Sequence, residues 1–509
     1  MKKTTLAFGI IAILGIGYVG TAWYTGNVIE NNIDNKLAEI TAKVNHYQDE
    51  YNIAIIQNDL EKNIFSTKMH LIVTMSPRDS IASDTQPTKL FEDDIIIHHG
   101  PFPIAALAKG IFSPQMAWIE YQMSEQAEPT LWKLAGNQPF ISGHLGLNYQ
   151  NYLRVKLANK TLSATPDDLN YLKGNFDISE GNFTFESDED FVNLLVDARL
   201  DKLNYIEPDD SSSTNNILFS LNNLTISTKP NKEKAMVDFD INIGNLHVQD
   251  DDDSYPQLDT VVDNFKLKGS INYKNNDLDI QNSIDKLIFK ENNYEQTPPI
   301  EFNNLSLNQK NTLNEADTVD GLFRVNVDSV IYGQQNLGSG IVDFTFQGVD
   351  KNLFDYYDLY DHIDDGMDHF DVSNSNLSLN IFNWHNVVGD INISANAKMV
   401  DRNKVPDAHY FENFENFNLN LEIPFDVLAN MAAQIEAAES NINVSQEQID
   451  NVKQLIRMNT QMLLSNVKIL TFKKGNTDGI FSDVEYTKEN NIIKVNGEKM
   501  LRQELLNGF

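Results

Sequence analysis

Apolar and polar positions alternate with a period of two over most of the chain. Val237, Phe239, Ile241 and Ile243 are apolar, and Asp238, Asp240 and Asn242 between them are polar. The alternation continues through Phe265, Leu267, Ile271 and Tyr273, through Phe323, Val325 and Val327, and through Val342, Phe344 and Phe346. Leu377, Leu379 and Ile381, then Ile391, Ile393, Ala395, Ala397 and Met399, extend it. Successive side chains of a strand point to opposite faces, so this pattern predicts strands with one dry and one wet face. That is antiparallel sheet. Shorter runs at 52–57, 64–74, 95–99 and 141–149 predict strands nearer the N-terminus, with weaker signals at 104–107 and 117–123.

Two stretches change to helical spacing. Residues 351–370 carry Leu353, Tyr357, Tyr360 and Ile363 at intervals of four and three, predicting a short acidic helix. Residues 426–464 carry Val427, Met431 and Ile435, then Ile449, Val452, Leu455, Ile456 and Leu463. Asn441–Ser445 divides this stretch into a helical hairpin, with Ser445 as N-cap and Gln448 completing a capping box. Strands return over 467–495, and residues 501–506 close the chain with a short amphipathic turn. Asn-Leu-polar-apolar recurs at Asn223, Asn245, Asn304 and Asn376. Its irregular spacing fits turn chemistry before a strand or a sheet grown by duplicated strand pairs.

The N-terminus carries a different signal. Lys2 and Lys3 precede an uncharged run, Leu6–Trp23, of 23 − 6 + 1 = 18 residues. As helix it spans roughly 27 Å, close to the ~30 Å bilayer core. Leu6, Ile10, Ile11 and Leu14 form its apolar body, and Trp23 and Tyr24 stand where an interfacial aromatic belt belongs. The basic end stays in the cytoplasm, so the body is expected across the membrane. Gly20 and Ala22 also match a small-x-small cleavage site, the signal-peptide alternative. A further helix at 28–47, with Ile29, Ile33, Leu37, Ile40 and Val44 in phase, is expected as a stalk or under the first sheet.

Composition narrows the chemistry. The 509 residues hold 73 Asp and Glu against 39 Lys and Arg, a net charge of −34. Such a surface repels nucleic-acid backbones and anionic headgroups alike, so nucleic acid is excluded as a partner. With no Cys, disulfides, thiolate zinc sites and Cys nucleophiles are excluded too. Gly15-Ile16-Gly17-Tyr18-Val19-Gly20 matches a dinucleotide-binding pattern but lies inside the apolar run, which has no strand before it. His98-His99, the only adjacent histidine pair, occupies neighbouring strand positions and precedes a Gly-Pro turn, a poor geometry for a shared metal. Asp361–Gly366 fails as a calcium loop because its third position is Ile363 and its twelfth Val372. Asp250–Asp253 reads as a solvated loop. No hydrolase elbow, phosphate loop or zinc-protease motif occurs. No catalytic, cofactor or metal residue is assigned, and an enzyme is not expected.

Several strings resemble the YdgA-like family of bacterial envelope proteins, a domain of unknown function. They are Gly20-Thr21-Ala22-Trp23-Tyr24-Thr25-Gly26 with Ile29-Glu30, Ile64-Phe65-Ser66-Thr67, and His99-Gly100-Pro101-Phe102-Pro103. Leu337-Gly338-Ser339-Gly340 and Asn496-Gly497-Glu498-Lys499-Met500 follow in order. The resemblance implies an inner-membrane anchor with a periplasmic body and brings no catalytic residues.

These readings set the expectations. The fold is mainly β with helical insertions (α+β): one transmembrane helix, then a large antiparallel body built as a long curved or grooved sheet or as two packed sheets. Its parts are residues 1–5 (cytoplasmic stub), 6–24 (anchor), 25–50 (stalk helix), 51–175 (N-terminal α+β region), 176–425 (antiparallel region), 426–464 (helical hairpin) and 465–509 (C-terminal strands). The expected partners are the lipid bilayer, a lipid or other apolar ligand and a second copy of the chain. A structural or adaptor role is the alternative function.

Overall fold

A computed structural model describes residues 37, 38, 41, 42, 45, 51–63, 66–78, 87–99, 103–169, 173–188, 192–208, 216–231, 236–250, 257–272, 275, 277–292, 297–351, 373–401, 410–465, 467–490 and 492–501. The chain divides into two compact units, residues 1–244 and 245–509.

The first unit is an antiparallel sheet. Its strands are β1 (Tyr51–Lys62), β2 (Ser66–Pro77), β3 (Thr88–His99), β4 (Gln115–Gln122), β5 (Ile141–Asn148), β6 (Leu153–Asn159), β7 (Leu162–Ala164), β8 (Asn175–Ile178), β9 (Gly181–Ser187), β10 (Leu195–Pro208) and β11 (Asn216–Asn231). Hydrogen bonding runs β1-β2-β3-β4-β5-β6-β9-β10-β11, with β8 also on β10 and β7 on β8. Alternation decides the faces. On β2, Met69, Leu71 and Val73 are buried, while Lys68 and His70 at alternate positions lie on the other face and pair with Asp94. The buried face packs under Leu37, which shares a helical face with Thr41 and Asn45. Asn45 ties that helix to β1 by donating to the Ile53 carbonyl and accepting from its amide, both at 2.8 Å. Two short helices, α1 (Ile104–Ala108) and α2 (Pro129–Leu134), interrupt the strands. The expected strand at 104–107 is thus helix. Pro103 supplies a preset φ at its start, and the short Ile-Ala-Ala-Leu run has no β-branched alternation to oppose helix.

β12 (Met236–Asp250) carries the chain into the second unit, again an antiparallel meander. It comprises β13 (Gln257–Ile271), β14 (Leu278–Asn292), β15 (Ile300–Leu313), β16 (Thr318–Tyr332), β17 (Gln335–Asp350), β18 (Asn376–Asn386), β19 (Gly389–Met399), β20 (Phe414–Pro424), β21 (Thr471–Lys474), β22 (Thr477–Thr487), β23 (Ile492–Val495) and β24 (Glu498–Leu501). Each of β13 to β20 pairs with the next, β22 pairs with β20, β21 and β23, and β24 closes on β23. The helical hairpin forms as α3 (Phe425–Glu439) and α4 (Gln446–Leu464). The capping box is present: the Ser445 hydroxyl accepts from the Gln448 amide, and the Gln448 side chain accepts from the Ser445 amide. α3 buries Phe425, Val427, Ala429, Ala433 and Ala437, and its Met431 and Ile435 lie on Val327, Val330 and Leu337 of the sheet.

The expected fold class needs correction. Among the described residues no helix is long and apolar enough to cross a membrane. The longest, α4, has 19 residues but carries Glu447, Asp450, Lys453 and Arg457, charges too costly for hydrocarbon. The described fold is therefore mostly one antiparallel β architecture with a helical hairpin, in place of the expected α+β class, and none of its described helices is a membrane span. Residues 6–24, with Leu6, Ile10, Ile11, Leu14, Trp23 and Tyr24, lie outside the described residues. So do Gly15–Gly20, residues 251–253, 352–372 and 502–509.

Candidate functional site

In the second unit, apolar alternation changes parity partway along each of β13 to β16. On β13 the apolar-side positions are Leu258, Thr260 and Val262, then Phe265, Leu267 and Ile271. On β15 they are Ile300 and Phe302, then Leu305 and Leu307. The residues at the switch, Asn264 and Asn304, have φ of +53° and +52°, the left-handed region that Asn tolerates better than other side-chain-bearing residues. On β14 and β16 the switch falls at Asp285 and Asp328. Constant register on both sides of the break sets Asn264, Asp285, Asn304 and Asp328 in one row across the four strands. The row is bonded: Asn264 donates to Asp285 Oδ2 at 2.9 Å, and Asn304 to Asp328 Oδ2 at 3.1 Å. Asn245 of β12 likewise donates to Asp263 at 2.8 Å. The row keeps most apolar side chains on one side of the sheet although the sequence parity inverts, with Val261, Ile288, Leu322 and Ile331 as exceptions on the other side.

The first unit carries its own instance, Asn223 at φ +56° on β11, which faces Asp201 of β10 between the pairs Leu200–Leu224 and Lys202–Asn222. The recurrent Asn-Leu string is thus partly explained. Asn223 and Asn304 sit in mid-strand, and neither stands in the turn that ordinary turn chemistry predicts.

Among the described residues, the face that this row organises is covered at Val327 and Val330 of β16 and is open over β13 and β14. No apolar side chain between Leu258 and Leu313 is buried among the described residues, although Leu267, Ile271, Leu278, Ile280, Ile284, Leu287 and Leu307 follow the apolar-side alternation; Ile300, Phe302 and Leu305 of β15 pack against the Val327–Val330–Leu337 cluster. Toward β17 and β18 the same side is closed by α3. There the Trp384 ring lies over Gly340, where an added Cβ would come within 2.8 Å, and its indole N–H donates to the Leu337 carbonyl at 3.1 Å. The opposite, polar side carries ion pairs. Asp343, buried, bonds Arg324 and Asn380, and the Asn380 hydrogen bond followed by the Arg324 charge holds its carboxyl below the ordinary aspartate value.

The sequence-predicted motif lies in the first unit. His99 is the last residue of β3 and pairs in register with Ala117, while His98 pairs with Trp118. Gly100, Pro101 and Phe102 lie outside the described residues, and Pro103 is buried at the start of α1. α1 packs on β4, where Trp118 is fully buried and stacks on His144 at 4.7 Å between ring centroids. Burial, then the nearby Lys156 and Lys109 charges, pulls the His144 pKa down to about 4, so the imidazole is neutral near pH 7. Buried Asp93 accepts from Tyr121 Oη, the Ser124 amide and the Ser124 hydroxyl, which makes it a latch for the 123–128 loop. Among the described residues no group of three His, Asp or Glu is placed to hold a metal ion. Sequence reading singled out the His-Gly-Pro-Phe-Pro string but missed Trp118 and His144, which become neighbours only through the β4–β5 register. The Asn–Asp row was equally missed, although the parity change from Val262 to Phe265 is visible in the chain.

The model of a bacterial protein family of unknown function, DUF945, matches residues 1–367. Over 183 residues the chain is 25% identical to Protein YdgA of Escherichia coli (strain K12), covering 35% of this chain and 36% of that one. Over 202 residues it is 23% identical to the uncharacterized protein YihF of the same strain, covering 39% of this chain and 40% of that one. The chain therefore spans less than half the length of these relatives. No solved structure matches it.

Proposed function

Because the chain belongs to DUF945, the bacterial family its YdgA-like strings resemble and one whose description names no activity, we propose a function from geometry: binding of an apolar envelope molecule, an acyl chain, along the open face of β13–β15. One observation carries this reading. Four long adjacent strands present Leu, Ile, Val and Phe on a single side, and among the described residues those on β13 to β15 are only partly buried, with Leu258 and Phe289 exposed. A sheet's apolar side is ordinarily covered by another layer, and contiguous exposed apolar surface of this kind marks ligand or partner sites. The net charge of −34 disfavours an anionic headgroup, so a neutral or zwitterionic lipid fits best.

The test uses the full chain with the neutral probe N-phenyl-1-naphthylamine, whose fluorescence rises in apolar sites. The wild-type protein is expected to enhance it, and uncharged acyl esters to displace it. Ile280→Glu and Leu307→Glu are expected to abolish enhancement while circular dichroism stays unchanged. Absence of enhancement by the wild-type protein overturns the reading.

A second reading, self-association, is supported by α4, where Leu455, Met458 and Met462 recur at three and four residues and are 55%, 61% and 71% exposed. Sedimentation of Met458→Glu/Met462→Glu tests it: a wild-type dimer that the double variant dissociates supports it, and a wild-type monomer removes it.

A further inference from the structure

Three large apolar side chains of the first unit stand in solvent on one short segment. Ile104 is 84% exposed, Phe112 is 75% exposed, and Leu107, which shares a helical face with Ile104, is exposed as well. The backbone that carries them is locked. α1 ends in a paired C-cap: the Ile111 amide donates to the Ala106 carbonyl at 3.0 Å, and the Gly110 amide to the Leu107 carbonyl at 2.9 Å. Gly110, at φ +78°, supplies the left-handed residue that this cap requires. Ala106 is buried, so the segment is anchored on one side while its large residues remain outside. Gln115 pairs with Asn148, so the β5–β6 turn stands at the same end of the sheet and adds the exposed Tyr149. Leaving this surface in water forgoes its burial energy, and apolar clusters of this kind mark contact sites.

Charge identifies the occupant. Acidic residues make up 73 of the 509, yet residues 95–119 contain none, and Lys109 is their only Lys or Arg. Residues 95–166 hold five Lys and Arg against three Glu, 5 − 3 = +2 in a chain of −34. Lys109 and Lys156 are exposed, and both charges act on His144. Carboxylates on the adjoining strands are engaged: Glu186 accepts from Arg154 and Tyr152, and Glu120 accepts from the Trp118 indole. Charges are screened beyond about 8–10 Å, so an approaching surface meets this locally basic end and not the charge of the whole chain. A second copy would set that end against its own like charge. A bilayer surface answers both features, since upper acyl carbons take the apolar groups and headgroup phosphates take the cation. We propose that the α1 segment rests in the surface of a phospholipid bilayer, with Ile104, Leu107 and Phe112 among the upper acyl carbons and Lys109 at the phosphates. This contact lies in the first unit and does not depend on acyl binding by β13–β15.

Bulk vesicle binding would not isolate the segment, because the apolar run Leu6–Trp23 belongs to the same chain. The absence of Cys permits a local reading. Ile104→Cys and Phe112→Cys each place one thiol in the full chain for an environment-sensitive nitrobenzoxadiazole label, and both positions are exposed, so circular dichroism is expected to stay unchanged. With vesicles of equal parts phosphatidylcholine and phosphatidylglycerol, both labels are expected to shift to the blue. A nitroxide near the headgroup is expected to quench them more than one at the chain end, because interfacial segments sit about 5–10 Å deep. A label on Asn476→Cys, in the exposed turn between β21 and β22, is expected to stay in water. Lys109→Glu is expected to weaken the quenching on Phe112→Cys. A chain that does not bind the vesicles, or one whose Ile104→Cys and Phe112→Cys labels stay water-like once bound, overturns the proposal. So does an equal shift on Asn476→Cys, or a blue shift already present without vesicles, which would put a second copy there. Quenching that Lys109→Glu leaves unchanged overturns the phosphate contact.

Discussion

Asn304 donates its side-chain amide to Asp328 Oδ2 at 3.1 Å from a backbone held at φ +52°, in the middle of a 14-residue strand. The bond and the left-handed turn serve one end. Together they let the apolar pattern of β15 shift by one residue and still address the same side of the sheet. This relationship sets up the first prediction. Asn304→Ala places a Cβ-bearing residue without a compensating side chain in the left-handed region, at about 1–2 kcal/mol including the lost hydrogen bond. Asn304→Gly accepts the conformation and is expected to lose less. Urea midpoints of the two variants check the order; equal losses would show that the left-handed backbone is not what the asparagine supplies.

The second prediction concerns close approach. A Cβ at Gly146 would stand 2.7 Å from two atoms of the fully buried Trp118 ring. Gly146→Ala is expected to cost about 1–3 kcal/mol and to perturb the near-ultraviolet circular dichroism of the tryptophan. An unchanged melting temperature would contradict the packing described.

His144 makes the third. Its folded pKa of about 4 lies below the unfolded value of 6.5, so between these limits the unfolded chain binds the proton more tightly. The stability linked to its neutral form is complete above about pH 6.5 and is lost as pH falls toward 4. Because the group is only partly buried, the loss is about 1–2 kcal/mol after allowance for solvent screening. His144→Phe keeps a ring against Trp118 and is expected to flatten that segment of the stability profile. A profile identical to wild type across the window would assign the slope to other groups.

A fourth prediction rests on the cap of α4. Ser445→Ala removes the acceptor for the Gln448 amide and is expected to cost about 1 kcal/mol, while Ser445→Asp is tolerated because aspartate caps equally well. Amide exchange in the first turn of α4 reads this locally. Protection unchanged in the alanine variant would count against the cap.

What could be read from the chain was whatever depends on neighbours in sequence. The period of two predicted strands because pleating sends successive side chains to opposite faces, and most long strands fell where it ran clean. Ser445 and Gln448 announced the start of α4 because a capping box closes within four residues. Local cues misled at residues 104–107, where Pro103 starts a helix. On fold class the correction is narrower: no described helix is long and apolar enough to cross a membrane, and the apolar run itself lies outside the described residues.

Register, burial and vacancy lay beyond the sequence. That Asn264 meets Asp285, or that Trp118 meets His144, depends on how strands align, and a slip of one residue would separate them. Whether a dry face is covered is likewise a tertiary fact, since Leu, Ile and Phe alternate in the same way under a helix and beneath open solvent. Val330 lies under α3, but Leu267, Ile280 and Leu307 do not become buried. The sequence by itself determined that this chain would build long one-sided strands, because side-chain direction is local. Only the tertiary structure decided where, among the described residues, α3 covers that side and where it is left partly exposed, because cover is a property of the assembled sheet.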